Sequence, residues 1–160
     1  MNRSLRFKIV APLALALALV LAPAAQAGNA AVCQKAKAGH AAFTEDYEFF
    51  IRAFTAENSG NADQWTDVMR GTLALWRQRM LNTRASTPKG WRAREAVLHL
   101  IKSSRLAVVN NFMPAVELQR EGQRDGALDF FTGGQVRLAR AAKDVLPRLR
   151  AIGCGGAASG

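Results

Sequence analysis

Hydrophobic residues recur along most of the chain at alternating spacings of three and four, the period at which one face of an α-helix is apolar. The first segment with this pattern covers about residues 31–57 and is followed by the turn-forming run at residues 58–60. Its apolar stripe consists of Cys33, Ala36, His40, Phe43, Tyr47, Phe50 and Phe54. The spacing predicts a long amphipathic helix that packs against other helices.

A second helix is predicted to begin with Asn61 as its N-cap. Gln64 follows three residues later, which matches the capping-box arrangement. The expected buried face is broad and rich in large side chains: Trp65, Val68, Met69, Thr72, Leu73, Trp76 and Met80.

The third predicted helix starts at Thr87 and Pro88, because threonine is a favourable N-cap and proline suits the first helical position. Apolar residues, beginning with Trp91, surround this helix on nearly all sides, so we expect it to be the most buried of the set. Pro114 has no N–H to donate and should kink or break the helix there.

A fourth helix is predicted from Asp125, as N-cap, to a stop at Gly153. Its stripe again alternates three and four: Leu128, Phe131, Gln135, Leu138, Ala142, Val145, Leu149 and Ile152. No segment shows sustained alternation of period two. Four helices with short connections predict an all-α, up-down-up-down four-helix bundle.

This topology brings the two ends of the bundle chain together. Cys33 opens the first stripe and Cys154 follows the fourth, so a disulfide between them is the expected pairing. Two free thiols are the alternative interpretation.

The first 27 residues have the pattern of a cleaved secretory signal peptide. Three basic residues precede an apolar run over residues 9–21, and Ala25-Gln26-Ala27 forms a cleavage site. The domain would then occupy residues 28–154, with a disordered tail at residues 155–160. A bacterial periplasmic or secreted location follows. A retained membrane anchor over residues 9–34 is the rival interpretation.

The charge balance is strongly basic, with 22 Lys and Arg against 12 Asp and Glu. Five basic residues fall on outer positions of the fourth helix: Arg137, Arg140, Lys143, Arg148 and Arg150. Such a surface permits an unidentified protein or polyanion partner, including a membrane surface; nucleic acid is not expected for an exported protein. A solvated surface, partly neutralised by Glu45, Asp46 and Glu48, is the plainer interpretation.

No catalytic constellation stands out. Ser86 and Lys89 match the S-x-x-K motif, but the companion motifs of the penicillin-recognising enzymes are absent. His40 and His99 fall at similar depths in the first and third helices, so a haem or metal held between these helices is the alternative.

Two tryptophans, Trp65 and Trp76, lie three turns apart on the second helix. They favour core packing, with an aromatic-lined ligand groove as the alternative.

The sequence therefore favours a non-enzymatic exported bundle that binds a macromolecular, possibly anionic partner. Its alternative is a bundle that binds a small ligand, haem or metal through His40 and His99.

Overall fold

A computed structural model describes the backbone of residues 10–154 and the side chains of residues 27–154. The helices are α1 (Val10–Thr55), α2 (Ser59–Leu81), α3 (Pro88–Ala107), α4 (Met113–Arg120) and α5 (Arg124–Arg150). A π-helical turn at Val108–Phe112 joins α3 to α4 without interruption. The described residues contain no strand and form four helical rods, which confirms the predicted all-α bundle.

The long first helix begins well before the predicted start at residue 31. The alanine- and leucine-rich segment ahead of residue 31 has high helix propensity, so α1 extends through it. Residues 1–9, the side chains of residues 10–26 and the tail at residues 155–160 lie outside the described part, so the signal peptide and the disordered tail stay predictions. Within the described chain, no helix has both the length and the apolar character needed to cross a membrane.

The helix starts agree with the sequence in one case and differ in two. The Thr87 hydroxyl accepts a hydrogen bond from the Gly90 N–H at 3.0 Å, as predicted for the N-cap of α3. The N-cap of α2 is Asn58 instead of Asn61; the Asn58 Oδ1 accepts from the Asn61 N–H at 3.1 Å. The N-cap of α5 is Gln123 instead of Asp125.

The predicted distortion at Pro114 takes the form of the π-helical turn. The N–H of Met113 bonds to the carbonyl of Val108, five residues back. An α-helical proline clashes with the carbonyl four residues before it, and the wider turn accommodates the ring while the helix continues.

The ends of the bundle are joined by the disulfide predicted from the sequence. Cys33 and Cys154 are bonded, with their Cα atoms 5.3 Å apart. Cys33 lies on α1 and Cys154 lies four residues beyond the end of α5, so the bond ties the first and last rods together.

Burial on α3 is less uniform than predicted. Trp91 is 46% exposed, and the Arg94 guanidinium lies 5.1 Å from the centre of its ring. Arg94 itself is buried because it donates hydrogen bonds to the carbonyls of Met80 and Leu81, which end α2. The arginine therefore closes the α2–α3 corner, and the tryptophan covers it from outside.

Helix α5 is turned relative to the predicted orientation. Its buried residues are small: Ala127, Gly134, Ala141 and Val145. They allow α5 to pack along α3 and α4. Most of the bulkier residues of the predicted stripe are only partly buried, and Leu128 is exposed. This orientation creates the site described next.

Candidate ligand-binding cleft

Helices α1 and α5 are neighbours whose backbones stay apart. Helix α1 packs along α2, and α5 packs along α3 and α4, but α1 and α5 do not pack backbone to backbone over any length. Side chains alone fill the space between them. This space between α1 and α5 is the seam of the bundle, and different side chains fill its two ends.

One end is filled by an aromatic cluster. Its members are Tyr47, Phe50, Phe54, Phe112 and Phe131. The rings of Phe54 on α1 and Phe131 on α5 are stacked with centroids 4.8 Å apart, and Phe112 lies 5.1 Å from Phe50. The cluster thereby links α1 to α5 through ring contacts.

The other end, beside the disulfide, is an open apolar cleft of about 300 Å³. This volume lies within the range of small-molecule sites in proteins. The walls come from α1 and the end of α5, and the floor from α2 and α3. The lining residues are Cys33, Ala36, Lys37, His40, Trp76, Val97, Leu100, Ala142, Val145, Leu146, Leu149, Arg150 and Cys154.

A second cavity of about 250 Å³ continues the cleft towards the aromatic cluster. The two cavities share His40, Trp76, Leu100 and Ala142. The two cavities together form the cleft. Cys33 and Tyr47 mark its two ends on α1, a distance of about 21 Å at the rise of an α-helix.

Small residues on both walls produce the open space. On α1 the large rings begin at Phe43, whereas Ala36 and Gly39 precede them. On α5 the facing residue, Ala142, is also small. Since α1 and α5 run antiparallel, Ala142 faces the middle of the cleft, and Leu149 and Arg150 lie nearer the disulfide.

Gly39 has a specific role in shaping the floor. A Cβ atom at this position would overlap the indole ring of Trp76, so only glycine allows the ring to lie against the α1 backbone. Trp76 is consequently 3% exposed. The His40 ring stands edge-on to it, with centroids 6.5 Å apart.

The floor holds two buried polar atoms that lack a partner among the described residues. They are the Nε1 of Trp76 and the Oγ of Ser104. A buried donor without an acceptor is costly.

The polar far end of the cleft is formed by Tyr47. Its hydroxyl is hydrogen-bonded with the side chain of Gln135 on α5. Burial raises the pKa of Tyr47 above its ordinary value, and the Gln135 hydrogen bond partly opposes this.

The charged side chains that line the cleft, Lys37 and Arg150, are both positive. Lys37 and Arg150 line it near the disulfide, and no carboxylate side chain lines either cavity. Neither cation belongs to an ion pair within the described residues. The cleft is thus an apolar slot with a cationic end.

The residues predicted for ligand binding are distributed over three places. Trp76 and His40 lie in the cleft. Trp65 stacks against Phe49 of α1, with ring centroids 4.6 Å apart, and lines neither cavity of the cleft. His99 lines a separate, more polar pocket of about 360 Å³ between α3 and α5.

The two histidines therefore do not share a cavity. The described residues also contain no group of three or more His, Cys, Asp or Glu side chains arranged to hold a metal ion. Binding of haem or metal stays a prediction, with one histidine available in each cavity.

The five basic residues predicted on the fourth helix are all exposed on α5. Arg137 and Arg140 line the pocket of His99, together with Asp144. The five form no ion pair in the described part of the chain. The expected neutralisation by α1 is not seen for Asp46, whose carboxylate instead accepts a hydrogen bond from Thr72 of α2.

Sequence reasoning missed Lys37, Gly39 and Ser104 as site residues. A signal for the cleft was nevertheless present in Ala36 and Ala142, the small residues that belong to two antiparallel apolar stripes. Ser86 and Lys89 lie exposed at the start of α3, away from the cleft.

Comparison with models of known protein families, with curated proteins and with solved structures gives no match. The site must therefore be interpreted from its own geometry.

Proposed function

We propose that the protein is a non-enzymatic binding protein that takes a small, largely apolar molecule into the cleft. The observation that carries this proposal is the open apolar slot between α1 and α5, which has the buried ring of Trp76 in its floor. Concave, mostly apolar cavities with a few polar groups are typical of small-molecule sites.

The partial exposure of apolar side chains on α5 supports the same proposal. Leu146 is 53% exposed and lines the cleft, although it belongs to an otherwise packed helix. A ligand in the cleft would remove this surface from water, which is the main driving force for binding apolar molecules.

The setting is proposed to be an oxidising compartment outside the cytoplasm. The Cys33–Cys154 disulfide supports this, because such bonds persist in the periplasm and the extracellular medium. The predicted signal peptide provides the route.

The test is binding of a neutral environment-sensitive dye, N-phenyl-1-naphthylamine, to the disulfide-bonded protein. We expect dye fluorescence to rise on binding. Ala142 lines both cavities, so Ala142→Phe should fill the cleft and weaken binding at least tenfold. The matched control is Ala38→Phe, which places the same ring on the exposed side of α1 and should bind like the parent.

Equal binding by Ala142→Phe and Ala38→Phe would place the dye elsewhere and contradict the proposal. Native mass spectrometry of the purified protein adds an independent measurement. A bound small molecule lost only in Ala142→Phe would support the cleft as its site.

A second candidate function rests on the five exposed cations of α5 that make no ion pair in the described chain. We propose that they bind an anionic macromolecular partner or membrane surface. Arg137→Glu combined with Arg140→Glu should reduce binding to phosphatidylglycerol vesicles at low salt, whereas Arg77→Glu on exposed α2 should have a smaller effect. If the parent protein does not bind these vesicles, a membrane surface is excluded as the partner of these cations.

A further inference from the structure

We propose that the ligand of the cleft is a single-chain anionic amphiphile of the fatty-acid class, with its carboxylate at the disulfide end. This inference rests on the proposed function and adds the ligand's chemistry and orientation. It follows from the positions of charged and apolar residues along the cleft and from its volume and length.

The carboxylate position is given by the two cations. Lys37 is one helical turn beyond Cys33, and Arg150 is at the end of α5 just before Cys154, so the disulfide brings both to the same end. Both are exposed, and neither has an ion-pair partner in the described residues. With no carboxylate in the lining, an anion from the ligand would complement them.

The chain position is given by the apolar middle of the cleft. Val97 and Leu100 form the floor with Trp76, and Ala142 faces them from α5. The slot between α1 and α5 has the volume for one narrow chain. Two long acyl chains of a phospholipid would not fit side by side in two cavities of about 300 Å³ and 250 Å³ that follow one another along α1.

The length of the cleft favours an extended chain over a compact molecule. From Cys33 to Tyr47 the α1 wall is about 21 Å long. The far end is bounded by Tyr47, whose ring contacts Phe112 of the aromatic cluster behind it. Chains that reach this point should gain no further affinity from added methylenes.

The experiment is displacement of the bound N-phenyl-1-naphthylamine by four amphiphiles of equal chain length, each below its micellar concentration. They are dodecanoate, dodecanol, dodecylammonium and lauroyl lysophosphatidate. We expect dodecanoate to bind about three- to tenfold more tightly than dodecanol at low salt, since exposed charge pairs contribute modestly. Dodecylammonium should bind most weakly.

Charge-removing variants test the binding of the head group separately from the binding of the chain. Lys37→Gln with Arg150→Gln should abolish the preference for dodecanoate over dodecanol. Lys35→Gln with Arg148→Gln makes the same change in net charge at exposed positions outside the cleft lining. This control should keep the preference.

A chain-length series gives a second, independent readout. Each two methylenes added to a short fatty acid should tighten binding about tenfold until the chain fills the cleft. Ala142→Phe should shorten the length at which the gain stops. A gain that continues unchanged in Ala142→Phe would overturn the assigned chain position.

The outcomes distinguish this inference from the proposed function. Equal affinity for dodecanoate and dodecanol, with binding still lost in Ala142→Phe, would remove the anionic ligand but keep the cleft as a binding site. Tighter binding of lysophosphatidate than of dodecanoate would replace the carboxylate by a phosphate head group. Failure of every amphiphile and of the dye would remove both proposals.

Discussion

The two ends of the seam between α1 and α5 are held together by different means. At one end, rings from both helices interlock in the aromatic cluster, and Phe112 is completely buried. At the other end, small residues leave the cleft open, and the Cys33–Cys154 bond joins the chain ends. Aromatic packing therefore holds α1 and α5 together at the first end, and a covalent bond holds the chain together at the second.

This difference indicates why an open cleft is compatible with a stable bundle. A gap in a core costs dispersion contacts and leaves apolar surface wet. A disulfide at the mouth of the gap limits how far the helices can separate without filling the space between them. The open end is therefore held in place while remaining free for a ligand.

The largest expected effect comes from removing the covalent link. Replacing both cysteines, Cys33→Ser with Cys154→Ser, opens a loop with a sequence separation of 121 residues. The chain-entropy model gives a loss of about 4–5 kcal/mol in the free energy of unfolding. Urea denaturation followed by circular dichroism measures it.

The two ends of the seam should respond differently when the disulfide is removed. Hydrogen exchange in the double serine variant should become faster around residues 32–40 and 145–153, while amides beside the aromatic cluster keep their order of protection. A uniform loss of protection along α1 and α5 would contradict the division of the seam into two differently stabilised ends.

The next largest effect is expected at the filled end. Phe112→Ala removes a ring that contacts Tyr47, Phe50 and Phe131, and the cavity left behind cannot collapse easily. We expect a loss of about 3–4 kcal/mol in the free energy of unfolding. Leu146→Ala, at the partly exposed edge of the cleft, should cost less than half as much in the same urea experiment. Equal losses would mean that the cleft is packed as tightly as the cluster.

The sequence predicted the helices, their order and the disulfide because these depend on local periodicity and on chain topology. The stripe from Phe43 to Phe54 and the N-cap at Thr87 can be recognised from residues that are close together in the sequence. The pairing of Cys33 with Cys154 follows once the rods are placed in antiparallel order.

The cleft was not predicted because periodicity identifies an apolar face without giving the distance to the opposite face. That distance depends on which α5 residues pack against α3. Here Gly134 packs against Phe112 of the π-helical turn and Ala141 is buried, which turns Ala142 and Leu146 towards α1. His40 was placed on the buried stripe, but Gly39 takes the buried position because the Trp76 ring needs space there.

Adding carbon atoms should have opposite effects at the two ends. At the filled end, Gly134→Ala brings a Cβ into the ring of Phe112 and should lower the free energy of unfolding by about 1–2 kcal/mol despite the better helix propensity of alanine. At the open end, Ala142→Leu should raise it by about 1 kcal/mol because the new side chain occupies empty apolar space.

Urea denaturation of both variants and of the parent protein shows whether each change lowers or raises the free energy of unfolding. Ala38→Leu, on the exposed side of α1, controls for the added hydrophobicity and should change stability little. Destabilisation by Ala142→Leu would show that the space between α1 and α5 is already occupied in solution.

The smallest effect is expected at Tyr47, where the cleft meets the aromatic cluster. Tyr47 is the sole tyrosine of the chain, so phenolate absorbance reports it alone. Burial raises its pKa above the ordinary 10.0, with the Gln135 hydrogen bond opposing. The folded protein should therefore titrate at higher pH than the same protein in urea.

The sign of the linked stability follows from this raised pKa. Because the folded state holds the phenol proton more tightly than the unfolded state, the stabilisation is complete below pH 10.0 and is lost as the pH rises through the folded-state pKa. Gln135→Ala removes the opposing hydrogen bond and should move the titration to still higher pH. A ligand that fills the cleft should also raise the pKa of Tyr47, because it excludes more water from the hydroxyl. A folded-state titration at or below that of the urea-unfolded chain would mean that solvent reaches Tyr47 freely, and the filled end of the seam would then have to begin beyond it.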